Sequence, residues 1–224
     1  MLLSQEQIEK IVILAFEAGD IAKKYFLSRD FVTTAKSDNS RVTSADLAIS
    51  KLIYERLSLE FLNIPIVCEE NNISSVASEV FWLIDPIDGT SSFIDGSDQF
   101  AINIALIKDQ KAIFGLIYAP LFEGGKMVFT NHKNQVVLSL DDGDKKILHP
   151  KKSSDESFKI ITSPRTKDFD VAIFIKQFFN DLNSNIEIVR VSSAVKFIYL
   201  LEGKVDFYLH LRQSMEWDTA AGQA

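Results

Sequence analysis

The sequence predicts an α/β protein in which a helix pair lies on an antiparallel sheet and a strand–helix alternating segment follows. Three observations carry that prediction. Apolar residues recur at helical spacing near the start, short strands come in hairpin pairs up to about residue 140, and strand alternates with helix beyond residue 157. With 224 residues the chain is one large domain or two small ones. Hydrophobic residues make up 46% and charged residues 25%, ordinary globular usage that excludes disorder. Lys and Arg total 24 against 31 Asp and Glu, a formal charge of −7, so no broad basic field for nucleic acid is present. An acidic protein can still handle phosphorylated small molecules where bound cations reverse the local charge.

The first helix opens at Ser4, a candidate N-cap with Gln7 three residues on. Ile8, Ile11, Val12, Ala15, Ile21, Ala22, Tyr25 and Phe26 then keep helical spacing. A polar segment from Lys36 to Arg41 separates it from a second helix, about Ser44 to Phe61, capped by Thr43 or Ser44 and carrying Asp46 in its first turn. A short strand, Ile64 to Cys68, runs into Glu69-Glu70. Val80 to Ile84 is a continuous apolar run, the mark of a strand buried on both faces. Phe100–Ile107 and Ala112–Tyr118 form one hairpin, and Lys126–Thr130 and Gln135–Leu140 a second.

Residues 141–157 are charged and poor in apolar side chains, and they make the best boundary, dividing the chain into 1–145 and 146–224. Beyond it the expected order is strand Phe158–Thr162, helix Phe169–Leu182, strand Ile186–Val191, helix Ser192–Leu201 closed by Gly203, and strand Val205–Leu211. The run from Trp217 starts one more helix that stops after a turn. A one-turn helix with no partner is marginal, so either the chain is truncated there or this end is loosely held. The single cysteine, Cys68, permits no intrachain disulfide and reads as a small buried hydrophobe. The N-terminus lacks a secretory pattern, and no apolar stretch approaches the roughly 20 residues of a membrane helix; a soluble, cytoplasmic protein is the expectation.

The most informative stretch is Trp82-Leu83-Ile84-Asp85-Pro86-Ile87-Asp88-Gly89-Thr90-Ser91-Ser92-Phe93. A buried strand delivers Asp85 to its C-terminal end, and Pro86, which cannot donate to a ladder, ends the strand. Gly89 permits a sharp turn, and Thr90-Ser91-Ser92 can begin a helix with free amides. Two carboxylates three residues apart beside exposed amides suit a hard divalent cation together with a phosphate. Asp, Pro and Gly are also ordinary turn residues. What favours the metal reading is that Glu69-Glu70, Asp46 and Asp218 also stand at element ends, where ligands converge.

Four motifs stand in order along the chain: Val42-Thr43-Ser44-Ala45-Asp46, Val67-Cys68-Glu69-Glu70, Trp82 to Thr90, and Trp217-Asp218-Thr219-Ala220-Ala221-Gly222. With them the chain resembles the magnesium-dependent, lithium-sensitive phosphatases of the inositol monophosphatase superfamily. The stretches Phe100–Pro120, Ser192–Phe197 and Met215–Gly222 look most like the bacterial 3'(2'),5'-bisphosphate nucleotidases of the CysQ type. Val191 and Ser91-Ser92 depart from the usual pattern at positions that bear on substrate. The resemblance implies a layered α/β/α/β/α sandwich with an antiparallel first sheet and a mixed second sheet. It also implies two or three Mg2+ ions, and hydrolysis of 3'-phosphoadenosine 5'-phosphate to AMP and phosphate in sulfur metabolism.

It further implies residue roles. Glu69, Asp85 and the Ile87 carbonyl hold one metal; Asp85, Asp88 and Asp218 hold a second. Glu69, Asp46 and Thr90 are the catalytic set, with the Thr90–Asp46 dyad positioning and deprotonating the attacking water. The Gly89 and Thr90 amides receive phosphate oxygens, and Ser91, Ser192, Ser193, Lys196, Arg212 and Asp218 contact the substrate. Read from the residues alone, the alternative is a Ser N-cap at Ser192–Ser193 with Lys196 exposed, and Arg212 and Arg165 are equally surface charge. Lys36 is a further phosphate candidate and Phe93 a pocket-lining one, while Glu70 reads as peripheral and His132, His149 and His210 as bland. The expected partner is a small phosphorylated molecule, with no nucleic acid, no transmembrane segment, and a monomer or homodimer. Inositol monophosphate or a sugar bisphosphate is the alternative substrate. From another class, a truncated, weakly active or non-catalytic metal-binding member is the rival, since the resemblance expects elements beyond Ala224.

Overall fold

Ser4 caps the first helix as its sequence suggests. Its Oγ accepts from the Gln7 amide at 3.2 Å while Gln7 Oε1 accepts from the Ser4 amide at 2.9 Å, closing a capping box. This helix, α1, is Gln5–Ser28. The structure, a computed structural model, describes residues 3–35, 41–71, 78–149, 157–179 and 185–224. Lys36 lies outside the described residues, as do residues 150–156 of the expected boundary. Strands β1 (Thr33–Ala35) and β2 (Arg41–Thr43) pair antiparallel, each too short to show a period in sequence. Helix α2 is Ser44–Glu60, with Thr43 as its cap.

Strands β3 (Ile66–Cys68), β4 (Val80–Asp88), β5 (Ala101–Lys108), β6 (Lys111–Ala119), β7 (Lys126–Thr130), β8 (Val136–Leu140) and β9 (Lys145–Ile147) follow, with helix α3 (Thr90–Asp95) between β4 and β5. Among the described residues they form one sheet in chain order, antiparallel throughout except for the parallel pair β3–β4. The turn between β5 and β6 places Asp109 and Gln110 at φ 50° and 62°, the left-handed pair that a tight hairpin demands. β9 lies inside the polar stretch read as a boundary; three exposed residues carry no hydrophobic alternation to announce a strand.

One expectation is corrected here. β4 does not end at Pro86 but runs to Asp88, because the register with β5 slips between Asp85 and Asp88. Pro86 sits in that irregularity, where its missing N–H breaks no ladder bond.

Strand β10 (Ser157–Thr162), helix α4 (Asp168–Phe178), strand β11 (Asn185–Arg190), helix α5 (Val195–Leu201) and strand β12 (Phe207–Tyr208) complete a second sheet of order β11-β10-β12, with both pairings parallel. A 3₁₀ turn, Glu216–Asp218, leads into helix α6 (Ala220–Gln223). The fold is layered. Trp82, Ile84, Ile102 and Ile104 pack on α1 and α2; Leu83, Ala101 and Ala105 face α5 and α6; Ile161 faces α5 from the second sheet, and Ile160 faces α4 beyond it. This is the expected α/β/α/β/α order, and the apolar run in β4 is buried on both faces.

The last helix, which the sequence left without a partner, has one. Ala220 and Ala221 are buried against β6, where a Cβ on Gly115 would come within 2.0 Å of the Ala221 carbonyl oxygen. Only a glycine strand surface lets a one-turn helix approach this closely. Phe93, expected to line the pocket, is instead fully buried among Phe26, Phe31 and Phe100. Cys68 is buried as expected, its Sγ 3.2 Å from Ser50 Oγ. Among the described residues no helix is long and apolar enough to cross a membrane.

Candidate functional site

The parallel pair β3–β4 ends in acids on both strands. Glu69 follows β3, and Asp85 and Asp88 occupy the irregular end of β4. Strand alternation puts Asp85 on the same face as Leu83, turned toward α5 and the second sheet. From the far end of the chain the 3₁₀ turn brings Asp218 to the same point. Carboxylate oxygens of Asp85, Asp88 and Asp218 all lie within 4.8 Å of one another. Glu69 stands beside this triad: its charge raises the pKa of all three aspartates, and its side chain hydrogen-bonds to Asp85.

Without a cation this arrangement is held apart from its preferred ionisation. Burial, and then the charge of Glu69, push Asp85 well above the usual carboxylate range. Burial and the neighbouring Asp218 carry Asp88 up to about 7, against the opposing pull of the Lys196 ammonium. Burial raises Asp218 to about 6. Asp85 Oδ1 is buried with no hydrogen-bond partner. An unpaired buried carboxylate oxygen is costly, and an all-oxygen donor set around it matches a hard divalent cation. The residues present therefore fit a metal.

Thr90 begins α3 and its hydroxyl is shared. Oγ1 donates to the Ile87 carbonyl at 3.1 Å and to Asp46 Oδ1 at 3.3 Å. Asp46 is fully buried, and its Oδ2 accepts from the Thr43 amide at 2.9 Å and from the Thr43 hydroxyl. Desolvation raises its pKa, the Thr43 bonds opposing it. Gly89, the cap of α3, has φ 88°, and a Cβ there would meet Ser193 Cβ at 3.0 Å and the Gln99 carbonyl oxygen at 3.1 Å. Glycine satisfies both the backbone angle and the close approach.

These groups open into a cleft of about 360 Å3, within the size range of small-molecule sites. Glu69, Asp88, Gly89, Thr90, Ser91, Ser192, Ser193, Lys196, Arg212 and Asp218 all line it, so the cleft gathers most residues singled out in the sequence. Asp46 and Asp85 lie behind its wall. The helix-cap reading of Ser192 is overturned: α5 starts at Val195, three residues later than expected, capped by Ala194. The preceding loop is instead tied to the site, with the Ser192 amide donating to Gln99 Oε1 at 3.0 Å and the Ala194 amide donating to Asp88 Oδ2. Ser193 takes a left-handed φ of 55°, and its carbonyl accepts the buried Lys196 ammonium. Arg212 donates to the Arg165 carbonyl at 3.3 Å, and both arginines face the cleft.

The sequence reading missed Arg41, Ser163, Thr166 and Tyr208 in this wall and dismissed His210, whose Nδ1 lies 3.0 Å from the Tyr208 hydroxyl. A signal existed. Ligands gather outside the carboxyl ends of parallel strands, and the cleft residues 163–166, 192–193 and 209–212 follow β10, β11 and β12. Glu70 is half-buried outside the cleft lining, and His132 lies in the β7–β8 turn.

Comparison with known proteins identifies the family and the fold. The model of the inositol monophosphatase family matches residues 4–224. The 3'(2'),5'-bisphosphate nucleotidase CysQ of Haemophilus influenzae is 31% identical over 99% of this chain and 81% of its own length. The protein of that name from Salmonella typhimurium is 30% identical over 97% and 85%. Among solved structures, CysQ from Bacteroides thetaiotaomicron superposes with a TM-score of 0.78 at 23% identity, covering 99% of this chain and 86% of its own. An IMPase of Thermotoga maritima gives 0.75 at 23%, covering 97% and 80%. At those identities the two structures speak for the fold alone.

Proposed function

The chain belongs to the inositol monophosphatase family, and on that premise we propose that it is a Mg2+-dependent phosphomonoesterase whose substrate is 3'-phosphoadenosine 5'-phosphate. The observation that carries the metal reading is Asp85 Oδ1, a buried carboxylate oxygen with no partner at the centre of Asp88, Asp218 and Glu69. The substrate rests on the CysQ relatives at about 30% identity.

In this reading Glu69, Asp85 and the Ile87 carbonyl would hold one ion, and Asp85, Asp88 and Asp218 would hold a second. When bound, the ions neutralise phosphate charge and supply a water acidified enough to attack phosphorus. Asp46 Oδ1 accepts the Thr90 hydroxyl proton, so that Thr90 Oγ1 can in turn orient the attacking water and take a proton from it. The Thr43 bonds on Oδ2 keep Asp46 Oδ1 turned toward Thr90. The Gly89 and Thr90 amides receive phosphate oxygens, and Ser91, Ser192, Ser193, Lys196 and Arg212 hold the rest of the substrate. Residues 1–145 supply the dyad and most of the acids, and residues 146–224 close the site with Asp218, Lys196 and Arg212. Little covalent chemistry is required of the protein; position and charge dominate phosphoryl transfer.

The test is phosphate release from 3'-phosphoadenosine 5'-phosphate, inositol 1-phosphate and fructose 1,6-bisphosphate at equal concentration, over a Mg2+ titration. The nucleotide is expected to turn over fastest, with no release in chelator and none from Asp85→Asn. Faster turnover of inositol phosphate moves the chain to the other activity of its family. Release without divalent cation sinks the reading.

A further inference from the structure

Asn103 is buried on β5 directly opposite Asp85 in the antiparallel register, on the face turned toward α5 and α6. Its neighbours along that face of the strand are Ala101 and Ala105, small and apolar. Its amide nitrogen donates to the Trp217 carbonyl at 3.4 Å, across 114 residues of sequence, while its carbonyl oxygen is buried with no partner. An amide that makes one long bond and leaves an acceptor empty is a poor choice for packing alone. The peptide that it reaches is the one immediately before Asp218. Directly across the strand pair stands Asp85, whose own Oδ1 is unpartnered.

We infer that Asn103 is a positioning residue for the metal site: it anchors the Trp217–Asp218 peptide to the strand beside Asp85 and so sets the separation of the two carboxylates. Asp218 needs such an anchor. It sits in a three-residue 3₁₀ turn whose neighbour Glu216 is exposed and whose own carboxylate is held by the Met215 amide at 3.1 Å, a bond within the turn. Nothing in that local bond fixes the turn against β4. The Asn103 amide does, and it acts through Asp218 rather than by touching substrate. Outer-shell groups that orient a ligand in this way commonly change metal affinity ten- to a hundredfold when removed.

This inference rests on the proposed metal site, and its test separates the two. Thermal melts of the wild type, Asn103→Leu and Asn103→Ser are recorded over a Mg2+ titration, so that the rise in Tm reports affinity independently of turnover. Asn103→Leu keeps the branched shape and the number of side-chain heavy atoms and removes the unpaired acceptor. Its metal-free Tm is expected to equal or exceed that of the wild type, with Mg2+ affinity weakened about tenfold or more. Asn103→Ser, smaller and still polar, guards against overpacking by leucine and is expected to show the same loss. Unchanged Mg2+ affinity in a folded variant overturns the inference and leaves the metal site standing. A wild-type Tm indifferent to Mg2+ overturns both.

Discussion

Thr90 Oγ1 lies 3.3 Å from Asp46 Oδ1, joining the start of α3 to the first turn of α2 across 44 residues of sequence. Asp46 closes the capping box of α2 through Oδ2 and meets Thr90 through Oδ1. One carboxylate thus fixes a helix start and accepts a hydroxyl at the edge of the cleft.

Removing either partner should therefore strike turnover before binding. Thr90→Ala and Asp46→Asn are expected to lower kcat by about 10²–10⁴, the usual worth of a positioned proton acceptor, with KM little changed. Thr90→Ser should recover much of the loss. Steady-state kinetics at saturating Mg2+ decide the matter, and an unchanged kcat in Thr90→Ala removes the dyad from the mechanism.

The crowded acids make the metal-free protein sensitive to pH in an unusual direction. Asp88 is raised to about 7 and Asp218 to about 6, while unfolded aspartates titrate near the ordinary value of about 3.9. The folded state therefore binds more protons than the unfolded state between about pH 4 and pH 7. Stability from these groups is complete below that window and falls as pH rises through it. Metal-free Tm should drop from pH 4 toward pH 7, and saturating Mg2+, which replaces those protons, should flatten the profile. Asp88→Asn should shrink the metal-free slope.

A second charged cluster braces α5 from behind. The Lys126 ammonium donates to both Glu202 oxygens at 2.8 and 2.9 Å and to Glu123, and Lys204 reaches Glu123 at 2.7 Å and Glu202 at 3.1 Å. Lys126 and Glu202 are nearly buried, so Lys126→Met should cost about 3 kcal/mol by leaving Glu202 short of a partner. Lys126→Met with Glu202→Leu should regain most of that in urea melts. Equal losses in the single and double variants would show that charge burial is not the cause.

Gly115 on β6 is the contact that admits α6. Gly115→Ala would drive its Cβ onto the Ala221 carbonyl, forcing the last helix outward at a cost of about 1–3 kcal/mol. Because α6 follows Asp218 directly, weaker Mg2+ binding should accompany the lowered Tm. A variant that loses stability but keeps Mg2+ affinity would show that Asp218 is held without α6.

Much of this molecule was legible in the chain itself. Ser4 with Gln7, and Thr43 or Ser44 ahead of the second helix, announced two helix starts because a cap is a local hydrogen-bond problem solved within four residues. The apolar run from Val80 and the hairpin spacings announced the first sheet, since burial of one or both strand faces writes a period into sequence. The acids could be picked out because buried carboxylates at element ends have few other uses.

What the chain could not tell is where distant segments meet. Pro86 stopped a strand by the local rule, yet β4 continues through it because an irregular register with β5 removes the bond that proline lacks. Ser192 suggested a cap, but the loop before α5 is drawn to Asp88 and Gln99. Tyr208 and His210 joined the cleft, and Asn103 came to face Asp85, only once β12 had paired with β10 and β5 with β4. Local hydrogen bonding and periodic burial are properties of a few consecutive residues. Strand register and the approach of remote loops depend on packing over the whole chain, and that packing decides which polar atoms share the cleft.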